Sequence, residues 1–194
     1  MARRHLESKL SRDELDLDEV WGWYEFQGEL IGEETVRTLN ALITGATLSQ
    51  PRYFAKTRDE LDEFFVRQRD ELKRLTMFNL LAATEAALKV DYIRRIIQNK
   101  KNKVTKDFAA LYKDRKLKVG LEGDILATWS HSCDHSPTRS AISEFKVVLN
   151  LRNWLAHGRF WIPRLARDYD PQIVFDICDA LLNTTAPRCS DLLF

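Results

Sequence analysis

Residues 57–99 read TRDELDEFFVRQRDELKRLTMFNLLAATEAALKVDYIRRIIQN, and the next glycine is Gly120. Leu61, Phe64, Phe65, Leu72, Leu75, Phe78, Ala82 and Ala86 recur at three- and four-residue steps, the spacing that aligns side chains along one face of an α-helix. At about 1.5 Å per residue, an unbroken helix of this length would run roughly 64 Å. A single domain of this size has a radius of gyration of only about 16 Å. The segment is therefore expected either to break, near 73–77, or to project from the body.

Working outward, helical spacing returns over 33–48 through Val36, Leu39, Leu42 and Ile43, and SQPRYF ends it. Residues 1–30 mix acids with Trp21, Trp23, Tyr24 and Phe26 and hold no lasting period. They are expected to form a short helix and then an arm that docks its aromatics on the body. Downstream, VTKDFAALYKDRK and EGDILATWSHS predict two short helices separated by Gly120 and Gly123. HSPTRSAISEFKVVLNLRNWLAHG predicts a longer one, capped at Ser136, with Pro137 at its first position and Gly158 as a left-handed stop. DPQIVFDICDALLNT predicts the last. No alternating strand pattern occurs, so the fold class is all-α: a helical bundle over 56–194 with an acidic, aromatic extension over 1–55.

The chain has 194 residues, 44% of them hydrophobic and 30% charged, which fits one folded core and excludes a disordered chain. MARRHLESKL lacks the apolar stretch of a secretory signal, and no run approaches the eighteen or so apolar residues of a membrane span. A cytoplasmic protein with no membrane partner is expected. Cys133, Cys178 and Cys189 are odd in number and widely spaced, as free thiols in a reducing compartment would be. The net charge of +1 hides an asymmetry: 7–34 holds ten acids against two bases, and 94–118 holds ten bases against two acids. The basic tract suits a polyanion, or else pairs with the acidic arm.

LNLRNWLAHGRFW, residues 149–161, carries the candidate chemistry. The apolar stripe of its helix runs through Ala141, Ile142, Phe145, Val148 and Leu149, and Arg152 falls on or beside it three residues later. A guanidinium there needs a carboxylate partner or an opening to solvent. Glu85, in the small-residue run LLAATEAAL, is the candidate carboxylate. His157 follows Asn153 by four residues, so the two share a face and the amide could orient the imidazole. The negative end of the helix dipole would also favour an imidazolium at this position.

LRNWLAHGRFW resembles the terminal-helix motif of HEPN-domain ribonucleases: Arg, four to six residues, then His, often with a polar residue directly after the Arg. Arg152, Asn153 and His157 stand in those positions, with Arg159 as a further cation. The resemblance is close over 136–161, architectural over 57–184, and does not cover 1–55. It implies a HEPN-type bundle and a metal-independent endoribonuclease without cofactor. Its catalytic residues would be Arg152, His157 and Asn153, brought together in duplicate across a homodimer cleft. It also implies 2′,3′-cyclic phosphate and 5′-hydroxyl ends, and service as a toxin or antiviral-defence effector restrained by an antitoxin or other regulatory protein.

The residue types suit that reaction. Histidine exchanges protons near neutrality, and the arginine fork holds two phosphate oxygens while staying charged. The 2′-hydroxyl nucleophile restricts the chemistry to RNA. Lys100, Lys101, Lys103 and Arg159 are expected to hold flanking phosphates, with Tyr112 stacking on a base and Glu85 supporting Arg152. Two other readings compete: a non-catalytic HEPN-like module binding RNA, nucleotides or protein, and a metal site at HSCDH, where His131, Cys133, Asp134 and His135 cluster. A structural zinc site draws on two separated ligand clusters, and Cys178 or Cys189 could complete this one only if the last helix packs against the loop. The stretch therefore reads as a loop before a helix cap. Glycine-rich phosphate loops, nucleophile elbows and dinucleotide fingerprints do not occur.

Overall fold

The computed structural model describes residues 6–8, 10, 13–98, 102–159, 161–163, 165 and 167–185. Six helices make up the described chain: α1 (Leu17–Thr44), α2 (Arg58–Gln98), α3 (Lys103–Arg115), α4 (Ala127–Ser132), α5 (Ser136–Ala156) and α6 (Pro171–Thr185). A π-helical turn, Leu121–Leu126, runs directly into α4. There is no strand among the described residues, and none of their helices is long and apolar enough to cross a membrane.

The long segment does not break. α2 runs for 41 residues, roughly 62 Å at 1.5 Å per residue. It begins at a reciprocal cap in which Thr57 N donates to Glu60 Oε2 at 2.7 Å and Glu60 N donates to Thr57 Oγ1 at 3.3 Å. Its C-terminal part lies in the main core, where Leu80, Leu81, Leu88 and Tyr92 pack with Phe108, Leu126, Phe145, Val148, Val174 and Leu181. Its N-terminal part projects from that core and is covered by α1. There Leu61 and Phe65 meet Tyr53, Ile31 and Leu42 in a second, smaller core.

The expected arm is instead a helix. α1 starts at Asp16, whose carboxylate accepts from Asp18 N, and continues without interruption through the stretch that showed no period. Leu17 and Val20 join the main core, and the Trp21 ring lies 5.1 Å from that of Phe175 on α6. Part of the 1–55 segment is thus packed into the body. The period was hidden because Trp23, Phe26 and Leu30 lie on the outer face and Gly22, Gly28 and Gly32 interrupt the pattern.

A methyl group added at any of these three glycines meets no atom within 4 Å. Each glycine costs about 0.5–1 kcal/mol relative to alanine in a helix interior. The triple variant Gly22→Ala, Gly28→Ala, Gly32→Ala is expected to gain about 1.5–3 kcal/mol, a rise of roughly 3–12 °C in Tm. Calorimetry showing an unchanged or lowered midpoint would contradict a continuous α1.

Candidate functional site

The site is the C-terminal end of α5 and the turn after it. The helix starts one residue earlier than expected: His135, not Ser136, occupies the cap, and Ser136 is the first helical position, followed by Pro137. At the far end, Gly158 adopts φ +79° and Arg159 φ +58°. Arg159 N donates to Trp154 O at 3.2 Å, closing the six-residue loop of a Schellman cap. Trp154 Nε1 also donates to Trp161 O at 2.7 Å. Arg159 therefore sits in a backbone region costly for a side-chain-bearing residue, and the turn is tied down on both sides of it.

Arg152 points toward α2. Its Nη2 donates to Glu85 Oε2 at 3.0 Å and its Nη1 to Asn153 Oδ1 at 3.4 Å, and its side chain is 31% exposed. Nε is buried without a hydrogen-bond partner among the described residues. Glu85 also holds Lys89 Nζ at 2.5 Å. The ion pair accounts for a guanidinium beside the apolar stripe within a single protomer, so a dimer cleft is not needed to explain that placement.

Five residues of α-helix rotate a side chain by roughly 140°, so Arg152 and His157 leave α5 in different directions. Asn153 stands between them: it shares a face with the exposed His157, and its amide oxygen takes the Arg152 guanidinium. The amide thus engages the arginine, where the sequence suggested the imidazole. His157 lies instead beside Trp161, with ring centroids 6.5 Å apart and planes inclined at 32°. The exposed face of α5 continues backward from His157 and Asn153 through Asn150 to Ser143, with half-buried Lys146 between, as a polar stripe.

Arg159 is not a free phosphate ligand. Its Nη1 donates to Glu71 Oε2 at 2.6 Å, which holds the Glu71 carboxyl below the usual range, with Arg74 assisting. The same bond raises the Arg159 pKa. A carboxylate with a depressed folded-state pKa contributes stability that is present above its unfolded value and lost as pH falls through the folded one. Glu71→Gln is therefore expected to lower stability by about 0.5–1 kcal/mol near pH 7, because the pair is partly exposed. That deficit should vanish as pH falls below the ordinary value of 4.5. Parallel thermal melts of parent and variant from pH 7 to 3 check it, and a deficit independent of pH would contradict the assignment.

The basic tract is dispersed. Arg95 is 6% exposed and forms part of the core, so it cannot meet a phosphate. Lys100 and Lys101 lie outside the described residues. Lys103 is exposed and donates to His131 O at 3.4 Å, near the N-terminal end of α5. α5 is about 31 Å long, which separates that end from His157 by roughly its length. Tyr112 packs against the main core with Lys116 Nζ 5.1 Å over its ring, which leaves it poorly placed as a stacking platform. One protomer thus joins Arg152, Asn153 and Glu85 in one hydrogen-bonded group, with His157 on the face of Asn153 and Arg159 held separately by Glu71, while Lys103 and Tyr112 lie apart from them.

At HSCDH, Asp134 pairs with Arg139, and His135 Nδ1 lies 3.1 Å from Thr138 Oγ1. Among the described residues, no three His, Cys, Asp or Glu side chains are grouped as metal ligands would be. Cys178 is buried against Leu80 O, and burial pushes its thiol up to about 12. Cys189 lies outside the described residues. Neither family models, curated proteins nor solved structures gave a match to the chain.

Proposed function

We propose that the chain is a metal-independent endoribonuclease. The observation that carries this reading is the end of α5, where a partly exposed arginine and an asparagine of the helix are followed by an exposed histidine at the cap of a hydrogen-bonded turn. The histidine takes the proton of a 2′-hydroxyl, the 2′-oxygen attacks phosphorus, and the 5′-oxygen departs as it is protonated. The products are a 2′,3′-cyclic phosphate and a 5′-hydroxyl. Arg152 keeps N–H groups beyond those given to Glu85 and Asn153, and these bind the phosphorane oxygens.

One protomer offers one such histidine, and the reaction uses a base and an acid. A second copy of the chain supplies the other across a two-fold axis. Control by an antitoxin or other regulatory protein, as in a toxin or defence effector, belongs to the same reading and rests on the motif resemblance alone.

The test is incubation of the purified protein with total RNA in excess chelator, followed by mapping of the ends. Cyclic phosphate and 5′-hydroxyl ends support the reading. Intact RNA at every protein concentration refutes it. The Arg152–Glu85 pair favours a second reading, a non-catalytic RNA- or protein-binding module in which Arg152 serves folding. Under that reading Glu85→Gln lowers stability, and the parent cuts nothing.

A further inference from the structure

The turn after α5 leaves apolar surface uncovered beside His157. Ile162 is 91% exposed and Trp161 39%, although both sit in a segment fixed by the Trp154 hydrogen bond to Trp161 O. With Pro163 and Leu165 they form one wall of a shallow groove of about 360 Å³, and Asn150 and Asn153 form the other. The groove is at the small end of the range for ligand sites, the size of one nucleoside rather than a long side-chain array.

The two walls differ in chemistry. Asn150 and Asn153 are one helical turn apart on the exposed face of α5, and each primary amide presents a donor and an acceptor in one plane. The Asn153 oxygen is taken by Arg152, so its NH₂ is the group left to a ligand. A flat ligand with an apolar face and a polar edge matches such a groove, the face against Trp161 and Ile162 and the edge toward the amides. An unpaired nucleobase has this form, whereas a paired base has its edge already occupied. A base seated here places its own sugar and phosphate near His157, since the Trp161 ring is 6.5 Å from the imidazole.

We propose that the groove between Asn150, Asn153 and Trp161 is a subsite for an unpaired RNA base next to the scissile phosphodiester. The proposal deepens the ribonuclease reading and rests on it for the position of the phosphate, but its binding component can be measured without cleavage.

The probes are fluorescein-labelled RNA decamers of A, C, G or U alone, titrated by anisotropy into the full chain carrying His157→Ala. Adding Trp161→Ala is expected to weaken the preferred decamer about 5- to 150-fold, the usual share of one stacked base. Adding Trp161→Phe should restore most of it. Asn150→Ala, on an exposed helix face where folding is not at stake, should flatten the differences among the four bases. The parent, if it cuts, should show the same base preference beside its cleavage sites, and Asn150→Ala should reduce that preference.

Coincident isotherms for all variants overturn the subsite, including the case in which a protein partner covers the patch. The ribonuclease reading survives that result if the parent cleaves. Base-dependent binding lost in both Trp161→Ala and Asn150→Ala, with a parent that cuts nothing, supports the groove as a base-binding site and removes the nuclease.

Discussion

Arg95→Ala is expected to lower folding stability by about 3–5 kcal/mol, the cost typical of breaking a buried ion pair by removing one member. Arg95 and Asp91 have side chains 7% and 6% exposed, and Nε donates to Asp91 Oδ2 at 2.6 Å. Arg95 Nη2 also donates to Thr185 O at 3.3 Å, a cation at the negative end of α6, and Cζ lies 4.6 Å above the Trp129 ring. One side chain thus joins α2, α4 and α6. Urea unfolding should show a lower midpoint with an unchanged slope. Arg95→Lys should rescue little, because an ammonium cannot reach Asp91 and Thr185 with a planar fork. A loss below about 1 kcal/mol for Arg95→Ala would place the weight of this junction elsewhere.

His157→Ala is expected to reduce the rate of RNA cleavage about 10²- to 10⁴-fold, the contribution typical of a positioned acid or base. The residue is exposed and lies outside the last regular turn of α5, so the melting temperature should barely move. Single-turnover cleavage in chelator, with a melt of the same preparation, reads both. Arg152→Ala should also slow cleavage. Because it removes one of the two cations on Glu85, which is 17% exposed and keeps Lys89, it should cost stability as well, about 1 kcal/mol after allowing for the partial exposure of the pair. Cleavage by His157→Ala at the parental rate would remove the imidazole from the reaction.

The all-helical fold was legible because apolar residues repeat at helical steps and because glycine and proline punctuate the ends. Gly158 was readable as a stop since a left-handed residue suits glycine. Glu85 was legible as the partner of Arg152 because a guanidinium on an apolar stripe asks for a carboxylate and the facing run is otherwise small and apolar. What stayed hidden depends on distance along the chain. Glu71 meets Arg159 across 88 positions, and the bond from Arg95 to Thr185 spans 90. Arg95 itself looked like one more base in a basic tract, whereas Asp91 one turn earlier makes it a core residue. The placement of Trp161 beside His157 could not be read because it depends on the turn that follows the helix.

Glu71 and Glu85 are fourteen residues apart on α2, about 21 Å and nearly four full turns, so both carboxylates emerge from the same side of one rod. That rod works as a ruler, spacing the two anchors that receive Arg152 from α5 and Arg159 from the turn after it. Inserting or deleting a single residue between them would swing one anchor about 100° away while leaving every local propensity intact. The length of an unremarkable stretch of helix, and not only the identity of its side chains, is therefore a component of the site.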